Sequence, residues 1–404
     1  MLRALWARST LKYGRMTINR VVVVLLCFES RYKEENTMKV GILTFPNSVS
    51  YGASLQMYAL YKKVNDLGHD AEIINYHNAF MKAEKHCHNN GSKHKQLMKR
   101  LLSGALHFRM KRAFRDFEKK NLKIYPQKAV SEKLALNDIG KRYDAVICGS
   151  DQVWNPDITG SDLSFFLGFC GEGTKRVSYA PSFGIDKFPK DFSDLIRSDI
   201  AKFDALSVRE DSGREYIKEE FGRDATLVCD PTMLLDAEEW SRVEKHCALG
   251  RGDYILFYTI RRSESLMKYC RELSKATGIR IVIVGGNPIK RITNRDRSLD
   301  YATDISPAEW LYLVHNAKYV VTNSFHGTAF SIIFKKDFYV ELSSLTNSRL
   351  AHITNMLSLT DRVIGNAECS PHTSCNYEIA ESKIAEISSS SAEFLKNALR
   401  KEEK

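Results

Sequence analysis

Residues 143–155, YDAVICGSDQVWN, constrain this chain most, because an apolar run stops at Gly149 and delivers Ser150, Asp151, Gln152, Trp154 and Asn155 together. The run 143–148 shows no polar alternation after Asp144, the pattern of a parallel strand buried on both faces. Ligands of open α/β sheets bind just beyond the carboxyl ends of such strands, so the segment reads as a strand ending in a site. The design recurs at 317–321 (AKYVV), which runs into Thr322, Asn323, Ser324, Phe325, His326 and Gly327 and then an apolar helical pattern to Phe334.

Strands and helices alternate around these two segments. From Met38 the pattern predicts strand 39–45, helix 51–67, strand 70–75, a basic helical insertion and strand 143–148. Strand 176–179, helix 191–203, strand 205–208, helix 210–221 and strand 226–228 follow, and Asp230-Pro231 punctuates the unit. A second set has strand 254–260, helix 264–277, strand 279–284, a turn at Gly285-Gly286-Asn287-Pro288, helix 307–315, strand 318–321, helix 327–334 and strand 338–340. Alternating βα units imply mostly parallel sheets with helices on both faces, and 404 residues are too many for one core. The expected fold is α/β: two Rossmann-like domains facing across a cleft, the GT-B type of arrangement. The first spans 38–235 with the insertion at about 81–123, and the second, donor-binding domain spans 236–365. A tail, 366–404, places a helix at about 377–400 back on the first domain. Residues 1–37 are read as an N-terminal extension outside the fold, because Met38 opens a typical first strand.

Composition narrows the class. A hydrophobic content of 43% with 27% charged residues is that of a soluble globular protein. No apolar run approaches the roughly 20 residues of a membrane span; residues 21–28 are also followed by Glu29, Ser30 and Arg31 instead of a small-residue cleavage site. Nine cysteines without paired spacing point to a reduced, cytoplasmic protein. His86, Cys87 and His88 lack a second ligand cluster, so no metal is expected. The net charge of +11 is concentrated: residues 81–123 hold thirteen basic and three acidic side chains, and 1–37 hold seven and three. Outside those segments the chain is slightly acidic, so nucleic acid is not an expected partner. Leu97, Leu101, Ala105 and Phe108 repeat at helical spacing with Lys99, Arg100, Arg109 and Arg112 around them. Such a helix suits peripheral contact with an anionic membrane or a diphosphate-linked acceptor, and equally a solvated helix packed through its leucines.

His326 stands where a strand turns into a helix, with Asn323 or Ser324 as N-cap and Gly327 following. Free amides there favour an anion and disfavour imidazolium, so the ring is expected neutral until an anion binds. It acts as an acid or phosphate clamp, or it hydrogen-bonds across the cleft. Arg209, at another strand end, suits bidentate recognition of carboxylate or phosphate, or pairs with Glu210 or Asp211. Asp151 is placed to take a proton from an acceptor hydroxyl, or to cap its turn. Ser150, Gln152 and Asn155 offer hydrogen bonds to a sugar, and Trp154 a stacking face. Asn47, Tyr51 and Gly52 belong to the loop after the first strand, where Gly52 permits close backbone approach. No Walker motif or GxSxG elbow is present, and Gly285-Gly286-Asn287 lacks the full spacing of a dinucleotide site.

With three further segments, 47–60 (NSVSYGASLQMYAL), 207–212 (SVREDS) and 228–234 (VCDPTML), the order and spacing resemble the polysaccharide pyruvyl transferase family over about residues 38–365. The resemblance implies the GT-B fold and transfer of pyruvate from phosphoenolpyruvate to a pair of sugar hydroxyls as a ketal, in bacterial surface or exopolysaccharide biosynthesis. It implies His326 at the phosphoenolpyruvate site and a donor-binding role for Arg209; joined to the reading of the residues, this makes His326 and Asp151 the catalytic candidates, Arg209, Arg261, Arg262, Asn323, Ser324 and Gly327 the donor candidates, and Asn47, Tyr51, Ser150, Gln152, Trp154 and Asn155 the acceptor candidates. The implied partners are phosphoenolpyruvate and a glycan or lipid-linked sugar, without a cofactor, in the cytoplasm or at the inner face of the plasma membrane. The chain departs from the family at Ser324, where a basic residue often stands, and Arg261, Arg262 or Arg349 would have to replace that charge. It departs also at Ala53, where relatives often carry an acidic or amide residue. The rivals are a glycosyltransferase using a nucleotide sugar in the same cleft, and a non-catalytic sugar-phosphate binding protein.

Overall fold

The computed structural model describes residues 37–78, 80, 93–185, 187–285, 296, 298–342, 347–370 and 373–401, with the side chains of 93–106 and 347–348 outside that set. The extension 1–36, the His86-Cys87-His88 group and Gly286, Asn287 and Pro288 lie outside the described residues.

The first domain runs β1 (Lys39–Leu43), α1 (Tyr51–Asp66), β2 (Asp70–Tyr76), α2 (Lys93–Asn121), β3 (Ile124–Val130), α3 (Lys133–Gly140), β4 (Ala145–Cys148), α4 (Pro156–Thr159) and β5 (Lys175–Ser178). Its five strands are parallel in the order β3-β2-β1-β4-β5. After α5 (Lys190–Ile200), β6 (Ser207–Val208) bridges to β5 through Val177 and Ala205, and across α6 (Asp211–Phe221) it pairs with β7 (Thr226–Leu227). A 3-10 turn, Pro231–Leu234, and α7 (Ala237–Ser241) lead into the second domain. There β8 (Tyr254–Tyr258), α8 (Glu264–Thr277), β9 (Arg280–Val284), β10 (Leu299–Ala302), α9 (Pro307–His315), β11 (Tyr319–Thr322), α10 (Phe325–Ile333) and β12 (Asp337–Val340) repeat the plan. Their order is β10-β9-β8-β11-β12, again parallel. α11 (Asn347–Met356) and α12 (Glu378–Ala398) close the chain. Two Rossmann-like sheets face one another, the GT-B arrangement expected from the sequence.

The central strands are the continuous apolar runs VGIL, AVIC and YILFY, buried throughout as two-sided coverage requires. The edge strands β3 and β10 escaped the sequence reading. β3, IYPQKAV, contains Pro126, tolerated because an edge strand needs hydrogen bonds on one side only. In each sheet the order reverses between the first and fourth strands, at β1/β4 and β8/β11, so the ligand crevice lies beyond Leu43 and Cys148 on one side and Tyr258 and Thr322 on the other.

Aromatic packing fixes how the domains meet. Tyr51 of α1 stacks on Trp310 of α9 at 5.6 Å and 12°, and touches Phe114 of α2 and Tyr258 of β8. Trp240 adds an edge-to-face contact with Phe330 at 4.9 Å, so one apolar core crosses the boundary. α2, the basic insertion, also reaches the second domain, where Arg109 Nε lies 3.4 Å from Asp304 Oδ2. α12 straps both: Tyr377 Oη donates to the Lys336 carbonyl at 2.5 Å, and farther along Ser391 Oγ accepts from the Cys229 N–H at 2.9 Å. Among the described residues no helix is long and apolar enough to cross a membrane.

Trp310→Ala removes the ring that both domains share and is expected to cost about 3–5 kcal/mol. Urea unfolding followed by fluorescence and circular dichroism checks this: the midpoint falls for both probes together, and separate transitions would show that the domains do not share their core.

Candidate functional site

Two helix N-termini meet at the crevice. Ser50 caps α1 by accepting the Ala53 N–H at 3.4 Å, and Ser324 caps α10 by accepting the Gly327 N–H at 3.3 Å. A Cβ on Gly52 would lie 2.0 Å from His326 Nδ1, so only glycine lets the α1 backbone rest on the imidazole. A Cβ on Gly327 would meet Thr322 Oγ1 at 2.4 Å, which explains the glycine after the histidine. Each sheet thus presses its first-turn helix against the other's site.

His326 is nearly enclosed, and its Nε2 is buried with no hydrogen-bond partner among the described residues. Asp230 Oδ2 lies 3.9 Å from it. Burial pushes the imidazole below its ordinary value, with Arg209 and Arg349 acting in the same direction against Asp230 and Asp151. The ring is therefore neutral at neutral pH, as the helix N-terminus led us to expect.

Asp230 is the fixed charge beneath it. Its side chain is fully buried, and Oδ2 accepts from Arg209 Nη1 at 2.6 Å and from Gln56 Nε2. Oδ1 accepts from the Thr232 N–H at 3.0 Å and the Thr232 hydroxyl at 2.7 Å. Burial opposes ionisation, yet His326, Arg209 and the Thr232 N–H hold the carboxyl below the usual carboxylate range. Arg209 itself also donates to Ser182 Oγ, pairs with Glu210 Oε1 at 3.5 Å and stacks on Phe325 of the other domain at 4.9 Å. Arg209 is thus ion-paired, to Asp230 and Glu210. Asp230 and Gln56 were missed as site residues. Asp230 had been read as punctuation before Pro231, and in fact it caps the 3-10 turn with the oxygen that Arg209 leaves free.

Arg349, on α11, is the cation left without an ion pair or hydrogen bond among the described residues. It is partly buried; burial and the like charge of Arg209 hold it below its ordinary value, against Asp151, Glu210 and Asp230. One turn on, His352 Nδ1 comes within 3.9 Å of Asp211 Oδ2, so α11 reaches across to the helix that follows Arg209. Arg261 and Arg262 are exposed at the end of β8 instead, and the Arg261 carbonyl accepts from Asn323 Nδ2 at 3.1 Å. Asp151, at φ 72, accepts its neighbour Gln152's N–H at 2.9 Å through Oδ1, and its charge acts on Arg209, His326 and Arg349.

Several residues expected at an acceptor are enclosed. Trp154 is 1% exposed, stacked on Phe166 at 5.3 Å with Nε1 donating to the Phe165 carbonyl, so no face is free for a sugar. Tyr51 is spent in the interdomain aromatic core. Ser150 Oγ accepts from Gln56 at 3.0 Å and donates to the Ala180 carbonyl, and Asn155 caps α4 while its amide donates to Gln152 Oε1. These are supports for Asp151. An apolar run ending in polar residues signals a site but not which of its side chains point outward. Asn47 and Gln152 remain partly open.

The larger cavity, about 660 Å³, lies in the second domain between α8 and the sheet, lined by Thr259, Arg262, Lys268, Arg271 and Tyr301 among others. It shares no residue with the His326 cluster. We place the chemistry at His326 because the unsatisfied buried nitrogen and the opposed charges are there.

Gly52→Ala in an ordinary helix would add about 0.5–1 kcal/mol of stability; here the Cβ must displace His326, and the melting temperature is expected to fall. Asp230→Asn leaves the buried Arg209 with only the longer Glu210 contact, a loss of up to about 3–5 kcal/mol at pH 7. Because the folded pKa of Asp230 is depressed, that advantage exists above the unfolded value of roughly 4 and vanishes as pH falls through the folded one. Parallel denaturation of parent and variant from pH 7 to 3 checks the sign: the gap narrows with acid.

A search of curated proteins returns no matching sequence. Solved structures of similar shape include a UDP-GlcNAc 2-epimerase from Rickettsia bellii (9% identity, 90% of this chain and 97% of that one, TM-score 0.47). The Methanocaldococcus jannaschii UDP-GlcNAc 2-epimerase (14%, 87% and 92%, 0.42) and Arabidopsis thaliana UGT89C1 (11%, 90% and 92%, 0.44) are likewise similar. The family model for polysaccharide pyruvyl transferase matches residues 51–340, from the helix that carries Gly52 to the last strand of the second sheet. Covering well over half the sequence and both strand ends that build the site, that match places the chain in the polysaccharide pyruvyl transferase family.

Proposed function

We propose that this protein transfers pyruvate from phosphoenolpyruvate to two hydroxyls of a sugar, forming a ketal, in surface or exopolysaccharide synthesis at the cytoplasmic side of a bacterial membrane. The observation that carries the reading is Arg349: a partly buried guanidinium beside another arginine, within the influence of Asp151, Glu210 and Asp230 but in direct ion pair with none of them among the described residues. Holding an unpaired cation out of water is costly, and an anionic ligand relieves that cost. Arg209 cannot serve alone, since Asp230 and Glu210 already engage it.

The donor's phosphate and carboxylate lie against Arg349 and the free amides of α10, beside His326. Its negative charge raises the imidazole pKa, and the imidazolium gives its proton to the methylene carbon of phosphoenolpyruvate. C2 becomes electrophilic. Asp151 takes the proton of one sugar hydroxyl as its oxygen bonds to C2; inorganic phosphate leaves, and the second hydroxyl closes the ketal with loss of its proton. Positioning and charge neutralisation supply most of the rate. Asp230 holds His326 and Arg209 in register throughout, and the reaction so written draws only on side chains and the donor.

The cavity at Thr259 and Arg262 supports a second reading, a nucleotide-sugar glycosyltransferase whose donor would sit there. Phosphate release measured with phosphoenolpyruvate and a glycan acceptor decides between them: release that needs both supports pyruvyl transfer. Thermal stabilisation by uridine or guanosine diphosphate sugars alone would move the function to that cavity.

Arg349→Ala is expected to weaken phosphoenolpyruvate binding about 10- to 100-fold, the loss of charge-assisted hydrogen bonds. Adding Ser324→Arg should restore part of it, and a calorimetric titration of the three proteins tests both. Since His326 starts neutral and is charged in the complex, donor binding takes up a proton near pH 7. Calorimetry in buffers of different ionisation enthalpy should show greater uptake in the parent than in His326→Gln.

A further inference from the structure

Beneath the last turns of α2, the first domain carries a separate concavity of about 290 Å³ that the chemistry above does not use. Leu122 and Ile124 form its apolar floor, and Asn47, Asn75 and Gln127 bring amides to its wall. Asn47 follows β1, Asn75 is the penultimate residue of β2 and Ile124 opens β3, so the cavity flanks the carboxyl-terminal half of β2.

The amides are fixed, and two of their oxygens are open. Asn47, held at φ 56, donates its backbone N–H to the buried Glu118 Oε2 at 3.2 Å. Its side-chain NH₂ donates to Asn75 Oδ1 at 3.1 Å and pairs with His77 Nε2 at 3.2 Å, so Asn47 Oδ1 remains as an acceptor without a partner among the described residues. Asn75 Nδ2 in turn donates to the Pro126 carbonyl at 2.9 Å, which pins the loop that carries Gln127. Gln127 Nε2 donates to the Ile124 carbonyl at 3.2 Å, and its Oε1 is likewise open. At the rim Arg115 and Lys119 are exposed, and no ion pair engages either among the described residues. Preset acceptors, donors in planar amide and guanidinium groups, and a small apolar floor match the alternating hydroxyls and ring carbons of one pyranose.

We infer that this cavity binds one pyranose unit of the acceptor, neighbouring the unit that is modified, and that an anionic group on or beside that ring faces Arg115 and Lys119. The inference rests on the pyruvyl-transfer reading for the nature of the acceptor. Distance permits it: Asn47 and Gly52 are five residues apart in the chain, at most about 18 Å even if extended, and Gly52 lies against His326. A glycan of a few units spans that gap. The anionic group has two sources, a uronic carboxylate or the phosphate of a lipid or nucleotide linkage.

Saturation-transfer NMR on the full chain tests the assignment with methyl β-D-glucopyranoside, methyl β-D-glucopyranosiduronic acid and glucose 1-phosphate, in the parent, Gln127→Ala and Arg115→Glu. One anionic sugar should bind more tightly than the neutral glucoside, and which one identifies the source of the charge. Each variant should weaken it about tenfold, while phosphoenolpyruvate affinity stays within twofold of the parent. No transfer to any of the three probes, or equal binding in parent and both variants, overturns the inference. Localised sugar binding without phosphoenolpyruvate turnover would remove the pyruvyl-transfer reading and leave the cavity as a sugar site. Turnover with an acceptor whose KM ignores both variants would remove the cavity assignment alone.

Discussion

The buried pair of Asp230 and Arg209 is the interaction on which the site depends. A carboxylate with no exposed surface survives in a protein only when its lone pairs are filled, and here Arg209, Gln56 and the N–H and hydroxyl of Thr232 fill them. Those donors come from α1, the strand end at Val208 and the 3-10 turn, so the charge joins three pieces of chain at the point where the domains meet. Phe325 lies over the face of the same guanidinium and brings in α10. Satisfying one buried charge therefore sets the position of His326 relative to the first domain.

That arrangement divides the charges into two classes. Arg209, Asp230 and Glu210 compensate one another and hold geometry, whereas Arg349, Asp151 and His326 are left with open valence in the same crevice. A site made only of the first class would be rigid and inert, and one made only of the second would collapse into its own ion pairs. Keeping Asp151 from Arg349 falls to the loop after β4, where Gln152's N–H holds one carboxylate oxygen and the enclosed Ser150, Trp154 and Asn155 fix the backbone. Residues that read as an acceptor surface thus serve to hold the base in place.

The fold was legible where burial on both faces makes a strand continuously apolar, as in 145–148 and 254–258, and where caps mark helix starts, as Ser263 does for α8. β3 and β10 were illegible for the complementary reason: an edge strand with one open face carries polar residues and even proline, and its sequence looks like a loop. His326, Arg209 and Asp151 could be found because each sits just past an apolar run. Asp230 could not, since an aspartate before proline has a sufficient local explanation as a cap; its second oxygen, the one that matters here, is used by residues far away in sequence. Nothing local marks α11 as bringing an arginine to the crevice, so Arg349 was one candidate among three until the helix had a place.

The serine at 324 then has a physical rationale of its own. As the N-cap of α10, its hydroxyl satisfies the Gly327 N–H, a role in which serine is among the favoured residues and arginine is not. A basic side chain at that position would bring positive charge next to the positive end of a helix and an imidazole that the proposed reaction requires to be protonated, and each of these disfavours the others. Supplying the charge from α11 leaves the helix terminus to Ser324, and in the proposed reaction the Arg349 guanidinium would attract the donor. It also ties the charge to a helix that touches both domains, through Leu350 in the shared core and His352 near Asp211. If Arg349 binds the donor as proposed, that contact draws on a helix packed against both domains, and donor binding and the interdomain fit would be parts of one equilibrium.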